Sequence, residues 1–184
     1  MERSAGCLLN ISSLPGEFGI GGFSNDAKYF VEQAVSMGFK WWQTLPITAI
    51  GAGDSPYSSI SAFAGNYLYI SPDQFDSSLL SREEIDSLKY HGEIYLTDYN
   101  HARWAKRKLL EYTFPRITPE IQREIDLFRK ENAFWLDDYA LFMTLKEKFG
   151  GKMWSEWDEP YRFRQPDTME KVKEEYSSTI NFYY

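Results

Sequence analysis

"GCLLNISSLPGEFGIGGFSNDAKYFVEQAVSMGFKWWQTLPI", residues 6–47, decides the fold class. "GCLLNI" (6–11) is a short apolar run of the kind that forms a buried strand. In "NDAKYFVEQAVSMG" (25–38) the residues Phe30, Val31, Ala34 and Val35 recur at helical spacing. Asn25 is placed to cap that helix and Gly38 to end it. "FKWWQTLPI" (39–47) reads as a second buried strand, stopped by Pro46. Strand, helix and strand in this order predict a βαβ unit and therefore a parallel pair. "NYLYISP" (66–72) alternates aromatic and aliphatic residues, as a third strand or an extended segment would.

From residue 73 onward the pattern turns helical. Ser81 and Glu84 spell a capping box that opens a helix reaching about Lys89. Thr97 or Asp98 can cap a second helix, which carries Trp104 and Leu109. Thr118 followed by Pro119 opens a long helical stretch that closes at Gly150–Gly151, with a break expected near Glu131–Asn132. Within it Phe134, Leu141 and Leu145 are expected in the core. A last helix starts near Asp167 and is still apolar at Ile180–Tyr184. Ending on such residues, with two or three strands all near the front, the sequence reads as cut in mid-helix.

The 184 residues carry a net charge of −7, and the "KRK" at 106–108 is diluted by acids, so no nucleic-acid partner is expected. Cys7 is the only cysteine, which excludes an intrachain disulfide and a cysteine zinc site. His91 and His101 lack converging acids, so neither a metal nor a cofactor is expected. No stretch approaches the roughly 20 apolar residues of a membrane span, and no signal peptide is evident at the start. The expectation is a cytoplasmic protein with no membrane partner.

Two segments follow strand ends, where parallel α/β proteins bind ligands. "ISSLPGEFGIGGF" (11–23) is rich in turn formers but lacks both phosphate-loop spacings, and it reads equally as a plain βα connection. "GAGDSPYSSISAFAGN" (51–66) has Asp54 as its one charged side chain. Tyr57, set beside Pro56, offers a flat face with a polar tip, and Ser55, Ser58, Ser59 and Ser61 offer neutral hydroxyls. A sugar ring asks for that chemistry: its C–H face stacks on an aromatic ring while its hydroxyls bond around the rim. A solvent-facing Ser/Gly turn with an incidental tyrosine fits the same composition. No pair of carboxylates can be argued into the roughly 5–5.5 Å spacing of a retaining glycosidase.

The blocks "GCLLNISSLPGEFGIG", "WWQTLPI", "GDSPYSSISAFAGN" and "FWLDDYALFMTLKEKFGG", followed by Trp154 and Trp157, resemble the N-terminal part of the 4-alpha-glucanotransferases (amylomaltases, or disproportionating enzymes; glycoside hydrolase family 77). The resemblance runs through essentially the whole chain. It implies an α/β fold, the N-terminal part of a (β/α)8 TIM barrel with a mostly helical insertion. A barrel needs roughly 250 residues, so this chain cannot close one. On that reading residues 1–72 hold the first βα units with glucan-binding loops. Residues 73–165 form the helical insertion, and 166–184 start a truncated helix leading back toward the barrel.

The implied reaction breaks an α-1,4-glucan and passes the segment to a new 4-hydroxyl by a retaining covalent mechanism. An Asp serves as nucleophile and a Glu as acid and base, without a cofactor. These carboxylates lie in the family's later strands, so no catalytic residue is assigned here and the chain alone is expected to be inactive. Tyr57 matches the family tyrosine that stacks under the sugar, and Ser55 a neighbouring hydrogen-bonding serine. Asp54 and Asn66 would brace the same loop. The chain departs from the family where Asn10 and Ile11 replace a common His-Pro, and where Ala52 replaces an aromatic of many bacterial members. The expected partners are α-1,4-glucans such as maltooligosaccharides, starch or glycogen, together with the missing C-terminal catalytic portion or a complementing chain. A non-catalytic glucan-binding protein and one subunit of a split enzyme are the alternatives.

Overall fold

The computed structural model describes residues 3–51, 53–93 and 95–184, which form two compact units, 1–117 and 118–184. The Ala52 departure lies outside the described residues.

The first unit opens with β1 (Gly6–Leu8), α1 (Asn25–Ser36) and β2 (Trp41–Gln43). The strands pair in parallel, Gly6 opposite Trp41 and Leu8 opposite Gln43, as the βαβ pattern predicts. Ser24 rather than Asn25 caps α1, its hydroxyl accepting from Asp26 N at 3.2 Å. At the far end Gly38 takes a φ of +86°, which only glycine adopts without steric cost. Its N–H reaches Val35 O and that of Phe39 reaches Ala34 O, a Schellman ending.

The strands are not buried as expected. Leu8 is 62% and Trp41 68% exposed, and Val31 and Val35 on α1 are exposed too. Two strands give a sheet too narrow to cover its own faces. The segment 66–72 is no strand either. It forms 3-10 turns at Tyr67–Tyr69 and Pro72–Gln74, because the Asn66 side chain accepts from Leu68 N and bends the chain.

α2 (Arg82–Ser87) carries the expected capping box: Glu84 N donates to Ser81 Oγ, and Ser81 N to the Glu84 carboxylate. α3 (Tyr99–Thr113) is capped by Asp98, which accepts from His101 N at 2.8 Å. Its inner face buries Ala102, Ala105 and Leu109. Ala102 packs with Ile11, Ile20, Leu68 and Tyr69, and Leu109 with Phe18, Leu80 and Leu88. Residues 73–117 therefore pack on the first 72 within one unit. The loop after β1 folds tightly on itself: a Cβ at Gly21 would lie 2.3 Å from Ile11 O.

The second unit comprises α4 (Pro119–Glu131), α5 (Leu136–Lys148), α6 (Glu159–Arg162), α7 (Pro166–Glu175) and α8 (Ser177–Phe182). Thr118 caps α4 and the helix ends at Glu131, where the break was expected. Leu141 and Leu145 enter a core with Trp157, Met169, Val172 and Ile180. Trp157 stacks on Phe149 with ring centroids 5.4 Å apart. Phe134 is exposed instead of buried, because it lies in the turn ahead of α5 rather than on its inner face. Among the described residues, no helix is long and apolar enough to cross a membrane.

Candidate functional site

Past β2 the chain makes a folded loop from Ile47 to Asn66. Two isolated antiparallel bridges, Thr48 with Gly65 and Ile50 with Ser59, draw its arms together. Ala49 N donates to Ala64 O, Gly51 N to Ser58 O and Ile60 N to Ala49 O, all at 2.8–3.1 Å. The serines were expected to face a ligand, but two of them hold the loop. Ser59 Oγ donates to Ala49 O, and Ser61 Oγ accepts from Phe63 N and Ala64 N. Short polar side chains serve here because they reach backbone groups that a second strand would otherwise satisfy.

At the tip, Ser58 N donates to Ser55 O at 3.0 Å, closing a four-residue turn. Pro56 sits at its second position, where a fixed φ favours the turn, and Tyr57 follows. Ser55 Oγ accepts from Tyr57 N at 3.3 Å. The Tyr57 side chain stands out from the turn, 74% exposed. Sequence neighbours Tyr57, Ser55 and Asp54 are thus brought together at the tip, whereas Asn66 lies at the base. Asn66 is buried, with its backbone N bonded to Ile47 O and its side chain capping the following turn. Phe63, on the same loop, is a second exposed ring that composition did not single out.

Asp54 is bonded to a residue that local sequence could not have suggested. Its carboxylate accepts from Arg103 Nη2 on α3, 49 residues away. Beneath the loop, burial pushes the Tyr69 phenol above its ordinary value, and hydrogen bonding with Asn10, Asn66 and Ser12 works against that. Asn10 Nδ2 donates to Ser12 Oγ at 2.6 Å. Asn10 and Ser12 are therefore part of a polar layer around Tyr69.

The segment 11–23 contributes to a separate cavity of about 300 Å³, lined by Gly16, Phe18, Ser24, Asp73 and Lys106 among others. Lys106 is buried, bonds Ile70 O and lies 4.6 Å from the centre of the Phe18 ring. Asp73 caps the start of α1, accepting from Asn25 N at 2.9 Å, and its charge partly offsets the lysine. Desolvation nonetheless pulls the Lys106 ammonium down to about 8 from 10.5. Below pH 8 both folded and unfolded chains hold this proton, and the folded state carries the full burial cost. Between about pH 8 and 10.5 the folded state releases the proton first, so stability rises with pH through that window. Relative to Lys106→Met, the wild type should gain about 2–3 kcal/mol between pH 7 and pH 10 in urea unfolding. A pH-independent difference would mean that the amine is not desolvated.

Among the described residues, no three histidine, cysteine or acidic side chains are grouped so as to hold a metal ion. The Asp54 carboxylate, three residues before Tyr57, is engaged by Arg103.

Comparison with known proteins shows the family. The sequence model described as 4-alpha-glucanotransferase matches residues 9–184. The 4-alpha-glucanotransferase of Aquifex aeolicus is 38% identical over 176 residues, covering 92% of this chain and 34% of that protein. That of Thermus thermophilus is 33% identical over 187 residues, covering 100% of this chain and 37% of its own. Among solved structures, the amylomaltase from Streptococcus agalactiae in complex with acarbose superposes with a TM-score of 0.90 at 33% identity. That match covers 99% of this chain and 37% of the amylomaltase. The chain thus spans about a third of the length of the relatives it matches. From residue 9 to residue 184 the sequence fits one family throughout, and the chain belongs to the 4-alpha-glucanotransferases.

Proposed function

We propose that this chain supplies part of the donor-side glucan-binding surface of a 4-alpha-glucanotransferase, with Tyr57 as the stacking platform. The observation that carries the reading is the Tyr57 ring, 74% exposed at the tip of an internally bonded turn. An exposed aromatic on a fixed turn offers a face to a sugar ring with little ordering cost. Ser55 accepts from Tyr57 N, so its own proton can go to a sugar hydroxyl. Asp54 and Asn66 act as braces rather than ligands. The acarbose held by the Streptococcus agalactiae amylomaltase supports α-glucans as the ligand class.

In this reading the transfer is retaining, and its nucleophilic Asp and acid–base Glu come from outside this chain. The first βα unit belongs to a (β/α)8 barrel. Residues 1–72 carry its glucan loops, 73–165 the helical insertion and 166–184 the return. The exposed faces at Leu8 and Trp41 are where further strands would pack. The missing portion can lie in the same polypeptide or in a complementing chain.

Titration of the chain with maltoheptaose, followed by amide NMR, tests the reading. Shifts centred on residues 55–58 are expected, and no disproportionation of maltotriose by the chain alone. Absence of any shift at millimolar sugar would overturn the binding role. Transfer activity in the isolated chain would overturn the placing of the carboxylates.

A further inference from the structure

Asp54 has a φ of +56°, in the left-handed region that L side chains seldom adopt. Asp and Asn tolerate it better than other non-glycine residues, but it remains a cost that the surroundings must offset. The strained residue stands immediately before Ser55, the residue that opens the Tyr57 turn. Its carboxylate is tied to Arg103. Arg103 projects from α3, a helix whose neighbouring residues Ala102 and Ala105 are among the most buried in the chain. The guanidinium also lies 6.0 Å from the centre of the Tyr99 ring, on the same helix. A loop otherwise held by bonds among residues 47–66 is thereby fastened, next to its tip, to a packed helix.

We infer that the Asp54–Arg103 ion pair is the positioning device of the Tyr57 turn, and that it makes binding of an uncharged glucan depend on ionic strength. This rests on the glucan-binding reading of the loop. Each side chain is about a third exposed, so salt reaches the pair. The screening length falls from about 10 Å at 0.1 M to about 3 Å at 1 M, which weakens a pair in this setting. A neutral oligosaccharide carries no charge of its own to be screened. A salt dependence of its affinity therefore reports on the protein, and an ion pair serving only overall stability would move the melting temperature but not the affinity of the folded chain.

The test is maltoheptaose titration of the full chain at 20 mM and 1 M NaCl. Wild type should bind roughly three- to fivefold more weakly at high salt, within the range measured for partly exposed ion pairs. Arg103→Gln and Asp54→Asn should bind that weakly at both salt concentrations, with no slope. Asp54→Asn keeps a side chain that tolerates the left-handed backbone, so its loss of slope reports the charge alone. Arg103→Lys should restore part of the slope. Wild-type affinity and slope retained in Arg103→Gln would overturn the inference. If wild type fails to bind maltoheptaose, the glucan-binding reading has failed, and amide exchange of the turn decides the positioning role separately. Arg103→Gln should then speed exchange at Tyr57 and Ser58 while leaving Ala49 and Ile60 unchanged. Unchanged exchange at Tyr57 and Ser58 would overturn the positioning role itself.

Discussion

Tyr57→Ala should lower the affinity for maltooligosaccharides by roughly 10- to 150-fold and leave the fold intact. The magnitude follows from what the ring does when a sugar covers it. Burying an aromatic face contributes about 1.5–3 kcal/mol, and each 1.4 kcal/mol is a factor of ten in affinity. The ring is exposed in the free chain, so its removal creates no cavity and should change stability by less than about 0.5 kcal/mol. Tyr57→Phe separates the face from the hydroxyl. It should cost less than about tenfold, the worth of one neutral hydrogen bond. Calorimetric titration of the three proteins checks this. Wild-type affinity in Tyr57→Ala would remove the residue from the site, and equal losses in Ala and Phe would assign the effect to the hydroxyl instead of stacking.

The second large effect concerns two leucines in the same unit. Leu109, 1% exposed, packs with Phe18, Leu80 and Leu88. Leu109→Ala should cost about 2–5 kcal/mol through lost burial and the cavity left behind. Set against a total of about 5–15 kcal/mol, that brings the first unit close to unfolding. Leu8→Ala, on the exposed face of β1, should cost less than about 0.5 kcal/mol in this chain. In a form of the protein with further strands packed on that face, the same substitution should approach the cost at Leu109. Urea midpoints of both variants in both forms measure this. A large effect of Leu8→Ala in the present chain would show that the β1 face is already covered, for instance by self-association.

How much was legible beforehand depended on the range of the interaction. The capping box of Ser81 and Glu84, the Thr118–Pro119 start and the Gly38 ending were readable because caps act within three or four residues. The βαβ unit was readable because short apolar runs and a helical stripe alternate along the chain, with Gly38 and Pro46 marking their ends. The supposed strand at 66–72 was not, since alternating aromatics look the same whether or not a side chain such as Asn66 bends them into 3-10 turns. Phe134 misled for a related reason. It continues the apolar run into α5, yet the helix begins only at Leu136.

The site divides in the same way. Sequence alone determined the family, through the blocks "GDSPYSSISAFAGN" and "FWLDDYALFMTLKEKFGG", and set Tyr57 beside Pro56 in a glycine- and serine-rich loop, since both features lie in contiguous residues. Only the tertiary structure decided what the remaining polar groups do. Ser59 and Ser61 bond their own loop, Lys106 is buried, and Asp54 meets Arg103 from a helix 49 residues on. Composition counts hydroxyls and charges without saying where they point. For Asp54 and Lys106 the partners are fixed by packing α3 against the rest of the first unit, and no local pattern encodes that contact.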